Sequence, residues 1–434
     1  MKKALYVAGI LLGLGAIAWM LGGDEAWKTW RATASPAQTT VILIVVDTLR
    51  ADHACDPRRM PNLHALALEG ALSCEAIAPG SWTVPSHASF FTGTAVPAHG
   101  THFVSSGTEI RKLSIRPLPE ELETLAEVFA SRGYQTAGLS GNPVLQPASG
   151  LSRGFESWRV PDQFGPWYGE AFIGQLRELL REDLEPDRPL FLFLNIADAH
   201  DPWFGVPEDN GLGLDSHDEV RAYFRVDEDG EVLRGDWARY VLGEMSSEEE
   251  TQLRTEVADQ YAWAVHQADS TLGMALDTLD AHGWLGDRRI VVVSDSGEFL
   301  GEHQLLRHGR YLYDENQAVP LLVVGSEVAF PEGPVSALAA HGLVLDGSLR
   351  EFPVEASAYP DPAWIEFSEG ALGQSTSAAI WQAGGKQLWR DGRVEAGAMD
   401  EELEDLVRRT TASAEGDGLM DPELQKALEA AGYL

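Results

Sequence analysis

Residues 41–47, Val-Ile-Leu-Ile-Val-Val-Asp, form an uninterrupted apolar run that ends on an acid. A short run of this kind, rich in β-branched residues, is typical of a strand buried on both faces of a parallel sheet. A second apolar run, at 290–293, ends in the same way two residues later on Asp295. Buried parallel strands present ligands at their carboxyl ends, so Asp47 and Asp295 are predicted to face a ligand there.

Helix-like and strand-like segments alternate along the chain. Apolar spacing typical of helices occurs at 61–70, 120–132, 171–182 and 247–282, and strand-like apolar segments occur at 134–139, 190–196 and 320–324. This alternation predicts an α/β fold, with a mostly parallel sheet flanked by helices. From residue 352 the pattern changes to short segments and a terminal helix over 421–430, which indicates a small C-terminal subdomain.

Composition limits the partners and the type of scaffold. The formal net charge is −35, from 32 basic and 67 acidic residues, which argues against nucleic acid as a partner. Only two cysteines are present, Cys55 and Cys74, so a disulfide-rich scaffold and a cysteine zinc cluster are excluded. Whether these two cysteines form a bridge is left open by their spacing.

The N-terminus begins with Met1, Lys2 and Lys3 and continues with mostly apolar residues over 4–23. About 20 apolar residues can cross the hydrocarbon core of a bilayer, and a signal peptide has similar features. We favour a transmembrane anchor at 1–23 over a cleaved signal, followed by a polar tether at 24–40. The body is then predicted to be membrane-anchored and extracytoplasmic, either periplasmic or extracellular.

The segment Ser-Trp-Thr-Val-Pro-Ser-His-Ala-Ser, residues 81–89, places Thr83 at the start of a predicted helix. Free N–H groups and the helix dipole favour an anion at such a position. Thr83 is therefore a candidate nucleophile. The alternative is that Thr83 only caps the helix.

These segments resemble the sulfatase family, within the alkaline phosphatase superfamily. The resemblance is carried, in the order found in that family, by residues 45–53, 60–63, 82–93, 198–203, 294–303, 308–315, 319–322 and 423–434. It implies an alkaline-phosphatase-like fold with a sulfatase-like catalytic domain at 41–351 and a small subdomain at 352–434. It also implies an anionic ester substrate, sulfated or phosphorylated.

The resemblance implies one divalent metal ion, calcium or zinc, bound by Asp47, Thr83 and Asp295. Carboxylates and an oxygen nucleophile are suitable ligands for such an ion. Two positions depart from the family pattern. Thr48 stands where a second acid often follows the first, and Ser296 stands where histidine or asparagine is usual, so Ser296 is predicted to be a weak metal ligand.

Thr83 lies where sulfatases carry the cysteine or serine that becomes formylglycine. Threonine cannot yield that aldehyde, because its β-carbon already bears a methyl group. Related phosphoryl-transfer enzymes use a threonine nucleophile that attacks phosphorus and forms a phosphothreonine intermediate. Phosphate or phosphonate esters are therefore favoured over sulfate esters.

Further residues are assigned by their motifs. His200 and His308 are predicted to be catalytic, by protonating a leaving oxygen or by hydrogen bonding to the transferred anion. His87, Arg50 and Arg310 are predicted to bind the anionic substrate. The alternatives are a structural role for His87 and ion pairs with the many acids of the chain for the two arginines.

The sequence thus predicts a metal-dependent hydrolase or transferase of sulfate or phosphate/phosphonate esters. The alternative is a catalytically weak or inactive sulfatase-like binding protein with a decayed metal site. Thr48, Asn195 and Ser296 are the residues that favour this alternative.

Overall fold

A central mixed sheet organises the protein. The computed structural model describes residues 40–105, 113–201, 203, 224–226, 232–309, 311–359, 376–382, 385–414 and 426. The strands are β1 (Thr40–Val46), β2 (Gly70–Ile77), β3 (Phe103–Ser105), β4 (Leu113–Ile115), β5 (Gln135–Ser140), β6 (Ser157–Arg159), β7 (Leu190–Ile196), β8 (Phe224–Val226), β9 (Val232–Arg234), β10 (Arg288–Val293), β11 (Phe299–Leu300), β12 (Leu306–Arg307), β13 (Ala318–Val324), β14 (Val335–Ser336), β15 (Glu355–Ala358), β16 (Ser377–Gln382), β17 (Gly385–Arg390) and β18 (Arg393–Ala396).

Helices connect these strands. They are α1 (Ala51–Ala54), α2 (Pro61–Ala67), α3 (Thr83–Thr92), α4 (Val96–His99), α5 (Leu125–Ser131), α6 (Glu170–Glu182), α7 (Asp236–Val241), α8 (Ser247–Ala281), α9 (Asp314–Gln317), α10 (Ala340–Leu345) and α11 (Glu401–Ser413), with 3₁₀ turns at Pro147–Ser149, Glu302–Gln304 and Ala337–Ala339. The long helix α8 begins with a capping box, in which the Ser246 side chain accepts from the Glu249 N–H and the Glu249 side chain accepts from the Ser246 N–H.

The large sheet has the strand order β14-β2-β13-β10-β1-β7-β5-β6. Strands β10, β1, β7, β5 and β6 run parallel, and β13 is antiparallel to both of its neighbours, β10 and β2. The predicted α/β fold with a mostly parallel sheet flanked by helices is therefore confirmed. Strand β1 lies in the middle, because it pairs with β10 on one side and β7 on the other.

Both faces of the sheet are buried, which explains the uninterrupted apolar run in β1. Ile42, Ile44 and Val46 belong to the core on one face, which also contains apolar residues of α2, α6 and α8. Val41 and Leu43 belong to the core on the other face, together with residues of α3 and α10. Side chains of a strand alternate between faces, so a strand covered on both sides needs apolar residues at every position.

A smaller antiparallel sheet follows the large one, with the order β15-β16-β17-β18. Helix α11 packs on it through Leu403 and Leu406, which contact Ala378 and Ile380 in one buried cluster. A small C-terminal antiparallel subdomain is thus present. The exact boundary between 351 and 352 stays a prediction, and the predicted terminal helix over 421–430 lies, except for residue 426, outside the described residues.

The two cysteines form a disulfide bond, a question that their spacing had left open. Cys55, at the end of α1, bonds to Cys74 in β2, 19 residues further along the chain. Closing a loop of this size stabilises the folded state by about 3 kcal/mol in the chain-entropy model.

The prediction of a membrane anchor is wrong as far as the described residues extend. No helix among them is both long and apolar enough to cross a bilayer. The longest helix, α8, is excluded by its charge, since its first turn alone contains Glu248, Glu249 and Glu250. The predicted anchor at 1–23 and tether at 24–40 fall in the part of the chain that is not described, except for Thr40 in β1. The described residues therefore do not support a membrane partner or a membrane-anchored localisation.

Candidate active site

The candidate site lies at the carboxyl edge of the central strands. The register aligns Val45 of β1 with Asn195 of β7 on one side and with Val293 of β10 on the other. Asp47 directly follows β1 and Asp295 follows β10 by two residues, and both are fully buried. Parallel strands thus bring together the two acids that the sequence predicted to face one ligand.

Thr48 takes a strained backbone conformation at this edge. Its φ is 52°, a value that a β-branched residue rarely adopts. The residue is fixed because its N–H donates to Asp295 Oδ1 (3.1 Å) and its hydroxyl donates to the carbonyl of Ala199 (3.0 Å). Strain of this kind is often found at functional sites, where surrounding contacts maintain it. Because the Thr48 hydroxyl donates to a backbone carbonyl, it does not replace the second acid that is absent from position 48.

Asp47 has one satisfied and one unsatisfied carboxylate oxygen. Its Oδ2 accepts from the side-chain amides of Asn142 (2.8 Å) and Asn195 (2.9 Å). Its Oδ1 is buried without a hydrogen-bond partner in the described protein. Burial and the nearby charge of Asp295 raise the pKa of Asp47 above its ordinary value.

Asp295 also has one hydrogen-bonded and one unsatisfied carboxylate oxygen. Its Oδ1 accepts from the N–H groups of Thr48 and Ser296, while its Oδ2 is buried with no hydrogen-bond partner among the described residues. Burial, the largest effect, raises the pKa of Asp295 to about 6 against these hydrogen bonds and the neighbouring Thr83 hydroxyl. A buried carboxylate oxygen is costly unless it is protonated or binds a cation. The two unsatisfied oxygens therefore fit a bound cation.

Thr83 is the first residue of α3, and its side chain is fully buried. The Asn142 amide that donates to Asp47 also donates to Thr83 Oγ1, at 3.2 Å. One side chain thus positions the candidate nucleophile and a candidate metal ligand. The helix-cap alternative has no support, because Trp82 is the N-cap residue and α3 has no side-chain cap.

His87 lies one turn further along α3. Its Nδ1 is 2.8 Å from the carbonyl of Thr83 and must carry the hydrogen, since a carbonyl can only accept. Its Nε2 lies 3.5 Å from the Asn195 amide. Burial lowers the pKa of His87 to about 4, so the ring is neutral at pH 7 and supplies no positive charge for an anion.

His200 and His308 lie next to each other, with ring centroids 4.9 Å apart. The Nδ1 of His308 is 3.2 Å from Glu298, whose pKa is raised well above its ordinary value by burial and by Asp201. Burial lowers the pKa of His200 to about 4. The predicted roles of both histidines as catalytic residues stay predictions.

The remaining predicted site residues have different surroundings. The Arg50 guanidinium forms ion pairs with Asp52 and Glu302, both at 2.8 Å. These two carboxylates neutralise its positive charge. Ser296 Oγ is buried without a hydrogen-bond partner in the described structure, beside Asp295. Arg310 lies outside the described residues.

Three residues of this pocket had received no predicted role: Asn142, Asp201 and Glu298. Asn142 follows β5 by two residues. Asp47 and Asp295 were predicted because each is a polar residue just past a buried strand, and the same rule would have predicted Asn142. Asp201 and Glu298 lie within the segments that resemble the sulfatase family. Nothing in their spacing indicated that their side chains are buried.

Calcium should stabilise the protein in a pH-dependent manner if Asp47 and Asp295 share an ion. Burial raises the folded-state pKa of Asp295 from 3.8 to about 6. In the metal-free protein the stability contributed by this group is full below about pH 4 and is lost as the pH rises through about 6, by up to about 3 kcal/mol. Calcium competes with the proton, so the rise in Tm on adding calcium should be small at about pH 5 and large at about pH 7. Calorimetry with calcium and with chelator checks this, and a Tm that ignores both at every pH would contradict it.

The chain matches known proteins over most of its length. The family model described as Sulfatase matches residues 39–341. An ulvan-active sulfatase of Formosa agariphila is 23% identical over 335 residues, which are 70% of this chain and 59% of that protein. The chain thus spans less than two thirds of the length of this curated relative.

Solved structures share the fold. A phosphonate monoester hydrolase of Agrobacterium radiobacter superposes with a TM-score of 0.54 at 18% identity, covering 81% of this chain and 87% of that one. A 2-O GAG sulfatase superposes with a TM-score of 0.52 at 14% identity, covering 86% of this chain and 90% of that one. The family match, together with the sheet edge that holds Asp47, Thr83 and Asp295, leads to one conclusion: the chain belongs to the sulfatase family.

Proposed function

We propose that this protein is a metal-dependent hydrolase of anionic esters, and of phosphate or phosphonate esters before sulfate esters, with Thr83 as the nucleophile. One observation carries the proposal. The Asn142 amide donates both to the buried Thr83 hydroxyl and to Asp47, the Thr83 hydroxyl neighbours Asp295, and each of these two acids keeps an unsatisfied buried oxygen. A nucleophile fixed among candidate metal ligands is the arrangement that an oxygen nucleophile needs for activation.

The choice of ester rests on the chemistry of threonine. A sulfatase mechanism that starts from a hydrated aldehyde needs cysteine or serine at position 83, and threonine cannot supply it. Direct attack by a hydroxyl on phosphorus requires no such modification. The relatives support either ester, because one is a sulfatase and one fold neighbour is a phosphonate monoester hydrolase.

Asp47, Asp295 and Thr83 Oγ1 would hold the ion, with Ser296 as a weak additional ligand. A divalent cation at this position would act as a Lewis acid that neutralises charge on the transferred group. Oxygen-only ligands of this kind suit calcium.

The residues of the chain would carry the reaction as follows. Asn142 donates to Thr83 Oγ1 and so directs the hydroxyl hydrogen away, toward the neighbouring carboxylates. A Thr83–phosphorus bond forms as the bond from phosphorus to the leaving oxygen breaks. The hydroxyl proton passes to a carboxylate, which later releases it to solvent, and the leaving oxygen departs as the anion or takes a proton from solvent. Water then hydrolyses the phosphothreonine and restores Thr83. The neutral ring of His87 holds the Thr83 carbonyl and thereby fixes the first turn of α3.

A second candidate is an inactive binding protein on the same scaffold. Two features favour it. The Thr48 hydroxyl donates to the Ala199 carbonyl, and Ser296 is neutral, so neither residue supplies a negative charge to hold a cation. The two candidates predict different results with substrates.

A panel of 4-nitrophenyl esters tests the proposal. With calcium present, we expect turnover of the phenylphosphonate and phosphate esters to exceed turnover of the sulfate by at least about 100-fold in kcat/KM, a difference of about 3 kcal/mol in transition-state stabilisation. The measurement is release of nitrophenolate, with Thr83→Ala protein as the blank. A preference for sulfate would contradict the ester assignment, and no turnover of any ester above the blank would favour the binding protein.

A further inference from the structure

We propose that Tyr261 of α8 is a positioning residue, whose hydroxyl fixes the turn after β1 and thereby holds Asp47 in place at the candidate active site. Asp47 takes the role of a metal ligand here, so this inference rests on the proposed function. Tyr261 had received no predicted role. It lies more than 200 residues from Asp47 in the chain, yet its hydroxyl contacts the backbone just beyond that acid.

The Tyr261 hydroxyl forms two hydrogen bonds with the turn. It donates to the Thr48 carbonyl (2.7 Å) and accepts from the Arg50 N–H (2.9 Å). The side chain is fully buried, and this burial raises the pKa of Tyr261 above its ordinary value, so the hydroxyl keeps its hydrogen. A tyrosine hydroxyl can donate and accept at the same time. One oxygen therefore joins the two backbone groups on either side of residue 49.

The turn needs such contacts because its backbone is strained. The φ of Thr48 is 52°, in a left-handed region that is unfavourable for a β-branched residue and persists only where surrounding contacts maintain it. The N–H and the hydroxyl of Thr48 are held from the ends of β10 and β7. The Leu49 N–H donates to Ser294 Oγ at 2.8 Å. Tyr261 adds the contacts to the Thr48 carbonyl and to the N–H of residue 50.

The position of the Asp47 carboxylate depends on this turn. On the strand side, the Asp47 N–H donates to the Ile196 carbonyl at 2.9 Å. On the other side, the chain is fixed only by the turn, which starts at the next residue. If Thr48 relaxed to a negative φ, its N–H would leave Asp295, and the two carboxylates would move relative to each other. Removing a group that orients a metal ligand typically lowers metal affinity by about 10- to 100-fold.

Helix α8 is a suitable platform for a positioning residue. Its apolar face contributes Val257 and Ala264 to the core, and Tyr261 lies in the same face. The Tyr261 ring packs edge-on against His53 and Trp203, with ring centroids 4.8 and 5.9 Å apart. Because the ring is packed from two sides, its hydroxyl has little freedom to move. A long helix thus sets the conformation of the turn.

Tyr261→Phe tests the inference, since it removes the hydroxyl and keeps the ring. We expect the Kd for calcium to rise by about 10- to 100-fold. The full chain is stripped with chelator, and calcium binding is measured by isothermal titration calorimetry at pH 7. All titrations contain sucrose, an excluded solute that favours the folded state, and circular dichroism confirms that each variant is folded. Hydrogen exchange of the Arg50 amide should also become faster, because it loses its acceptor.

Tyr240→Phe is the matched control. Tyr240 is also a buried tyrosine, and its hydroxyl donates to the carbonyl of Gly301 at 2.6 Å instead of to the turn after β1. Both variants should lower the Tm of the metal-free protein, and only Tyr261→Phe should raise the Kd for calcium. A lower Tm with an unchanged Kd in Tyr261→Phe, or an equal rise in Kd in both variants, would overturn the inference alone. A native protein that binds no calcium would contradict the metal ligands of the proposed function as well.

Discussion

Thr83→Ala should lower kcat for a phosphonate ester by at least about 10⁴-fold, because it removes the atom that bonds to phosphorus. The side chain is fully buried at the first residue of α3, and its hydroxyl accepts from Asn142. Alanine retains the backbone of the helix and leaves only a small space. The fold should therefore be retained, and the calcium-dependent rise in Tm should become smaller but persist, because Asp47 and Asp295 remain as ligands.

Thr83→Ser is the matched variant, since it keeps the oxygen and removes only the methyl group. We expect it to retain phosphoester activity within about tenfold of the native protein. Mass spectrometry of acid-quenched protein should find a phosphate adduct on residue 83 in the native and serine proteins and none with alanine. Turnover that survives Thr83→Ala unchanged would show that the nucleophile is another group.

Asp295→Asn should have opposite effects on stability and on function. The asparagine oxygen can still accept from the N–H groups of Thr48 and Ser296, while its amide replaces an oxygen that is buried and unsatisfied. Removing a buried charge near Asp47 should stabilise the metal-free protein at pH 7, by up to about 3 kcal/mol. The same change should abolish stabilisation by calcium and lower kcat by at least about 10³-fold.

Denaturant unfolding with chelator and with calcium measures these effects. The control is Asp280→Asn, the same chemical change at an exposed acid on α8, which should alter neither stability nor calcium response by more than about 0.5 kcal/mol. If calcium stabilises Asp295→Asn as much as the native protein, Asp295 is not a ligand of that ion.

The sequence identified the residues that occupy strand ends, because burial on both faces leaves a clear apolar run before a polar residue. Asp47 and Asp295 were found in this way. The pairing of Asn142 with both Asp47 and Thr83 could not be found, since it depends on how β5 lies beside β7. Likewise, the positive φ of Thr48 follows from contacts with Ala199 and Asp295, and these are distant along the chain.

The ion-pair partners of an arginine are also difficult to predict from this sequence. Arg50 was predicted to bind an anionic substrate, with an ion pair to an acid as the alternative, and its role in substrate binding stays a prediction. In the folded protein, Asp52 and Glu302 surround its guanidinium, and Glu302 is far away in sequence. A chain with so many acids offers each arginine several possible partners, and only tertiary structure selects among them.

The contact between the Thr48 N–H and Asp295 spans 247 residues of the chain. Contacts of such long range form late in folding, since the entropy of loop closure must be overcome before they stabilise anything. During synthesis, the Thr48 N–H therefore remains without its acceptor Asp295 until β10 has left the ribosome and inserted beside β1. A chain cut short before β10 should be unable to assemble the pocket and should expose an apolar strand edge instead, which favours aggregation.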